Sequence, residues 1–254
     1  MKIKLSIIAA ALICATMLTS CKENEALPSV LTDTEEELSV ILKESEDMGS
    51  DYIDSFVFFG ESTTYHLKSR AVLSGGKDTA QVLGNKSGTA MLDETTATMA
   101  VIYPETGELV SIHEAIRRKQ PKYMLLTFGL NGAVQKIKQG KEIFKANYKR
   151  LIDAVLDASP KTKIILGSCY PVAENMDMSN YSVSLSELNS YIATINSWTL
   201  ELAKEEGLRY LNVNEILTDE NKNLKKEYQS GDGHHLTRQA YIQIVDYIRT
   251  HGYK

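Results

Sequence analysis

The chain has 254 residues, 43% of them hydrophobic and 24% charged, with a formal net charge of −5. That length suits one domain with a sizeable core. The acidic balance, without any basic cluster, argues against nucleic acid as a partner.

Residues 1–20 read as a processing signal rather than as part of the fold. Lys2 and Lys4 form a basic start, and Leu5 to Leu18 an apolar stretch too short to span a membrane comfortably. Leu18-Thr19-Ser20-Cys21 is similar to a bacterial lipobox, in which cleavage before the cysteine frees a thiol that carries diacylglycerol. The alternative is an ordinary secretory signal cut near the same small residues. On the lipobox reading, 1–20 is a lipoprotein signal peptide and Cys21 is the lipidated N-terminus. The protein is then extracytoplasmic and anchored to the bacterial cell membrane. Residues 21–32 are polar, contain Pro28 and lack periodicity, which describes a tether reaching roughly 35 Å when extended. A single domain is expected over 33–254.

Along that domain, strands and helices alternate. An acidic helix is expected over Thr34 to Met48, then a strand over Ser55 to Phe59 and another over Ala80 to Leu83. Met99 to Val110 suggests a hairpin around Pro104-Glu105-Thr106-Gly107. A short helix over Ser111 to Lys119 leads to an apolar strand, Tyr123 to Phe128. Phe144, Tyr148, Leu151, Ile152 and Val155 recur at helical spacing, before a strand at Lys163 to Leu166. Leu185, Leu188, Ile192, Ile195 and Leu202 mark another helix, ended near Gly207. The last strand is Leu208 to Val213, and the last helix carries Leu236, Ala240, Tyr241, Ile244, Val245 and Ile248. Continuous apolar strands between amphipathic helices imply a parallel sheet covered on both faces. Ligands of such sheets bind beyond the carboxyl ends of the strands, where Ser62, Asn131 and Cys169-Tyr170-Pro171 all fall.

Of the three cysteines, Cys14 lies in the leader and Cys21 would be lipidated. Cys169 is then alone, without a disulfide partner, and its apolar surroundings point to packing.

Ser62 follows the first strand where the chain turns toward a helix, so its hydroxyl can stand at the sheet edge. An N-cap serine would occupy the same place. Asn131, in Gly129-Leu130-Asn131-Gly132, could donate its amide to a developing oxyanion, or simply form an Asn-Gly turn. Gly88 could bring a backbone N–H to the same oxygen. Asp232 and His235 stand three residues apart in a glycine-rich loop, with His234 as a competing base. A serine needs a base, and a base works best when a third group orients it. The Asp232-His234-His235 cluster lacks further ligands at helix spacing, and His113-Glu114 begins no zincin motif, so no metal is expected. No Gly-x-Ser-x-Gly elbow is present, which disfavours the α/β-hydrolase fold.

Together these blocks resemble the SGNH, or GDSL-type, hydrolase family. Gly60-Glu61-Ser62 is similar to the family's Gly-Asp-Ser, and Ser87-Gly88-Thr89 to its second block. Gly129-Leu130-Asn131-Gly132 is similar to Gly-x-Asn-Asp, and Asp232-Gly233-His234-His235 to Asp-x-x-His. The resemblance implies a flavodoxin-like α/β/α sandwich with about five mostly parallel strands. It assigns Ser62 as nucleophile, His235 as base and Asp232 as its orienting acid. The oxyanion would be received by the Ser62 and Gly88 N–H groups and the Asn131 amide, with no cofactor. Glu61 and Gly132 depart from the pattern, each standing where the family has aspartate. The implied activity is hydrolysis of an O-acyl ester, acetyl among the candidates, on cell-wall or extracellular carbohydrate, with the loop Tyr170 to Tyr181 a candidate pocket wall. The alternatives are a lysophospholipase or small-ester lipase, and a surface lipoprotein that binds glycan without turnover.

Overall fold

The computed structural model describes residues 40–253, so the leader, Cys21 and the tether lie outside it. Three of its strands are the apolar runs β1 (Phe56–Gly60), β5 (Tyr123–Thr127) and β6 (Lys163–Gly167). With β2 (Val82–Leu83) and β7 (Arg209–Leu211) they form one sheet in the order β2-β1-β5-β6-β7. Every pairing in it is parallel. A separate antiparallel pair, β3 (Ala100–Ile102) and β4 (Leu109–Ser111), sets Val101 opposite Val110 and forms the expected hairpin.

The strands lack polar alternation because both faces of the sheet are covered. Phe56 and Phe58 of β1 pack with Tyr241, Ile244 and Ile248 of the last helix, α8 (Arg238–Arg249). Val57 and Phe59 point the other way, into a cluster with Tyr148, Leu151 and Ile152 of α5 (Lys141–Ala158) and Ile192 and Ile195 of α6 (Leu185–Glu205). The remaining helices are α1 (Gly49–Asp54), α2 (Ser62–Ser69), α3 (Ile112–Lys119), α4 (Ala133–Gln139) and α7 (Asn214–Leu217). Ser184 and Glu187 form a reciprocal capping box that starts α6. Gly140, at φ +91°, separates α4 from α5.

The acidic helix expected over Thr34 to Met48 is corrected where it can be seen. Residues up to 39 lie outside the described region, and Ile41 to Met48 are not helical. Ile41 instead bridges Tyr210 at the sheet edge. The N–H groups of Ser45 and Met48 donate to the carbonyls of Thr250 and Arg249, at 2.6 and 3.0 Å. Long-range pairing with the end of α8 thus outweighs local helix propensity.

The strand order places the topological switch point between β1 and β5, where such sheets bind their ligands. The two strands close tightly there. A Cβ on Gly60 would lie 2.3 Å from the Thr127 carbonyl oxygen and 2.4 Å from Thr64 Oγ1. Gly60→Ala is therefore expected to cost about 3 kcal/mol, lowering the melting temperature by roughly 6–12 °C. A variant melting within about 1 °C of wild type would show that the strands part there without strain.

Candidate active site

Ser62 is the first residue of α2, directly beyond β1. At that position its N–H has no intrahelical acceptor and its hydroxyl stands at the sheet's carboxyl edge. The last helix locks the arrangement from behind, because Tyr241 donates to the Thr63 carbonyl at 2.7 Å.

The Asp232–His235 loop comes from the far end of the chain. Gly233 adopts φ +82°, and a Cβ there would lie 2.5 Å from Met176 Cα, so the loop can press onto the segment after β6 only with glycine. The Gly233 carbonyl accepts from the Ala173 N–H at 2.7 Å. Asp232 Oδ1 accepts from the backbone N–H groups of His234 and His235, at 3.1 and 2.9 Å. Its Oδ2 accepts from His235 Nδ1 at 2.7 Å. Burial raises this carboxyl, but the His235 and His234 hydrogen bonds outweigh it and hold Asp232 well below the usual carboxylate range. An ionised Asp232 fixes the proton on His235 Nδ1 and leaves Nε2 as an acceptor. Ser62 Oγ lies 3.0 Å from that Nε2. His234 lies beside His235 instead, its ring tilted with centroids 4.0 Å apart.

Ser62, Gly88, Asn131 and His235 line one cavity of about 820 Å³. Two of the expected oxyanion donors are engaged elsewhere within it. The Gly88 N–H donates to the Asn85 carbonyl at 3.1 Å. Asn131 Nδ2 donates to Thr89 Oγ1 at 3.0 Å and to the Ala90 carbonyl at 3.3 Å. The loop from Tyr170 to Tyr181 contributes no lining residue to this cavity; through Ala173 and Met176 it supports the Asp232–His235 loop. Cys169 is 2% exposed and packs as expected.

Three features escape a reading of the sequence. Glu61, 1% exposed, accepts from the N–H groups of Gly129, Leu130 and Asn131 at 2.9, 3.0 and 3.0 Å. Burial raises its carboxyl, while nearby Lys136 and those three N–H groups oppose the shift. Lys136 is itself buried and donates its ammonium to the Asn131 carbonyl. His66 lies one helical turn beyond Ser62, its ring tilted against that of His235 with centroids 4.4 Å apart. The signal for His66 was present: Ser62, Tyr65, His66 and Ser69 all line the cavity at helical spacing.

Burial, with His235 and Arg70 next in weight, pushes the His66 imidazole down to about 4 from its ordinary 6.5. The unfolded chain therefore binds more protons across that window, and stability falls as pH drops from 6.5 toward 4. His234, also lowered by burial and by His235, acts in the same direction. His66→Gln is expected to flatten the fall in melting temperature over that range. An unchanged slope would mean that His66 does not resist protonation in the folded state.

The family model described as GDSL-like lipase/acylhydrolase matches residues 58–242. A G-D-S-L-family protein from Desulfitobacterium hafniense, described as lipolytic, superposes with a TM-score of 0.52 at 13% identity, covering 76% of this chain and 95% of that one. A GDSL-like lipase from Bacteroides thetaiotaomicron gives 0.46 at 17% identity, covering 85% and 92%. A carbohydrate acetylesterase from Sinorhizobium meliloti gives 0.48 at 13% identity, covering 76% and 95%. No curated protein sequence matches. With the family match extending from β1 into α8, the chain belongs to the GDSL-like lipase/acylhydrolase family.

Proposed function

We propose that this acylhydrolase is a serine esterase acting through an acyl-enzyme on Ser62. The observation that carries the reading is the unbroken series Ser62 Oγ, His235 Nε2, His235 Nδ1, Asp232 Oδ2, with spacings of 3.0 and 2.7 Å. Ser62 Oγ attacks the ester carbonyl while its proton passes to His235 Nε2. The imidazolium so formed is stabilised by the Asp232 carboxylate. The oxyanion is received first by the Ser62 N–H. Asn131 and Gly88 join it by exchanging their present acceptors, Thr89, Ala90 and Asn85, for the substrate oxygen. His235 then returns the proton to the departing alkoxide. Water repeats the sequence on the acyl-enzyme and releases the acid. Every atom needed belongs to the chain, the ester and water.

The substrate reading is an O-acyl ester, with acetyl the first candidate, on a cell-wall or extracellular carbohydrate. Support comes from the cavity, whose lining includes the hydroxyls of Ser69, Ser87 and Thr89 and the amide of Asn85. These groups suit a polyol leaving group better than a long acyl chain. A lysophospholipid or small apolar ester would instead use Met91 and Met99 on the same wall. A glycan-binding protein without turnover is the second reading. It draws on Glu61, Gly132 and the occupied Asn131 amide.

An alkyl phosphonate probe separates these readings. Ser62→Ala and His235→Ala are expected to lose labelling, because an unactivated serine reacts poorly. Asp232→Asn is expected to retain an intermediate level and His234→Ala most of it. If wild type neither takes the probe nor hydrolyses any of a broad ester panel, the binding reading replaces the enzyme. If His234→Ala is dead while His235→Ala is active, the base has been misassigned.

The lipid anchor is proposed from the leader and Leu18-Thr19-Ser20-Cys21 alone. Metabolic labelling with a fatty-acid analogue is expected to mark wild type and miss Cys21→Ser. Equal labelling of both would remove the anchor while leaving export open.

A further inference from the structure

Lys136 occupies a costly place. It sits in α4 with 5% of its surface exposed, one turn beyond the loop that carries Asn131. Burying an ammonium is unfavourable unless it is paired and hydrogen-bonded. A methionine would fill the same volume without that penalty. The ammonium nevertheless turns back and donates to the Asn131 carbonyl.

The other side of the same loop is held by Glu61. Its two oxygens take the three successive N–H groups of residues 129–131. Lys136 takes the Asn131 carbonyl and also lowers the energy of the Glu61 carboxylate through space. Gly132, at φ +70°, completes the turn. A Cβ there would approach Met91 Sδ at 3.3 Å and Lys136 Nζ at 3.5 Å. The side chain after Asn131 is thus absent, and a cation reaches in from the following helix turn.

We propose that Lys136 is a positioning residue that works with Glu61, clamping loop 129–132 from its carbonyl side and so setting the aim of the Asn131 amide. The proposal rests on the esterase reading for its kinetic consequence, but not for its structural one. Glu61 and Asp93 are the carboxylates whose charge acts on Lys136, and Glu61 is the stronger of them. Burial depresses the ammonium and Glu61 restores part of it, as expected of a cation and carboxylate that depend on each other.

The test compares wild type, Lys136→Met and Lys136→Arg by turnover of a short-chain nitrophenyl ester and by backbone amide exchange at Gly129, Leu130 and Asn131. Lys136→Gln replaces the methionine variant should that one fail to fold. Lys136→Met is expected to lower kcat by roughly 30-fold or more with KM within about threefold, as for an interaction felt mainly in the transition state. Its three loop amides should exchange at least about tenfold faster than in wild type, since their shared acceptor is no longer held in place. Lys136→Arg should recover most of both. Wild-type kcat and wild-type protection in Lys136→Met would overturn the proposal. So would a loss carried entirely by KM or by the folded fraction. If wild type hydrolyses no ester, the esterase reading fails, and amide exchange alone then decides whether Lys136 clamps the loop.

Discussion

One buried carboxylate joins the two strand ends on which the site is built. Glu61 follows β1, and its oxygens take three consecutive N–H groups from the loop that follows β5. The buried N–H of Gly129 would otherwise lack an acceptor, at a cost of about 1–3 kcal/mol. The interaction is possible only because β1 and β5 are hydrogen-bonded neighbours that close tightly at Gly60 and Thr127. Ser62 is the next residue after Glu61, so the element that braces the Asn131 loop also places the serine. Ser62 and the loop cannot move independently.

The opposite wall is set by electrostatics as much as by packing. Three imidazoles, His66, His235 and His234, crowd beside a single carboxylate, His235 being tilted against each of the other two. Crowding and burial disfavour charge on the outer two. The Asp232 carboxylate meets His235 directly through its ring N–H. On the proposed mechanism, a proton leaving Ser62 therefore has one favoured destination.

Much of this was legible in the sequence, for local reasons. Asp232 and His235 could be paired because an aspartate folds back onto the second and third following N–H groups, and the glycines around it permit that turn. The strands could be read as buried on both faces because their apolar runs are continuous. What could not be read depends on distant partners. Glu61 meets residues 68 to 70 positions away, so it appeared only as a departure from the family pattern. Ile41 to Met48 looked helical by composition, yet pair with β7 and the end of α8. The engagement of Asn131 by Thr89 and Ala90 was likewise hidden, since it joins two loops from different strands.

The account turns on whether Ser62 carries the acyl group during turnover. Rapid acid quench of wild-type protein with a hydrolysable short-chain ester, followed by peptide mass spectrometry, measures that directly. The expected result is a transient mass increase, equal to the acyl group, on the peptide containing Ser62, absent in Ser62→Ala. Steady hydrolysis with no such adduct, or with the acyl group on another residue, would contradict it.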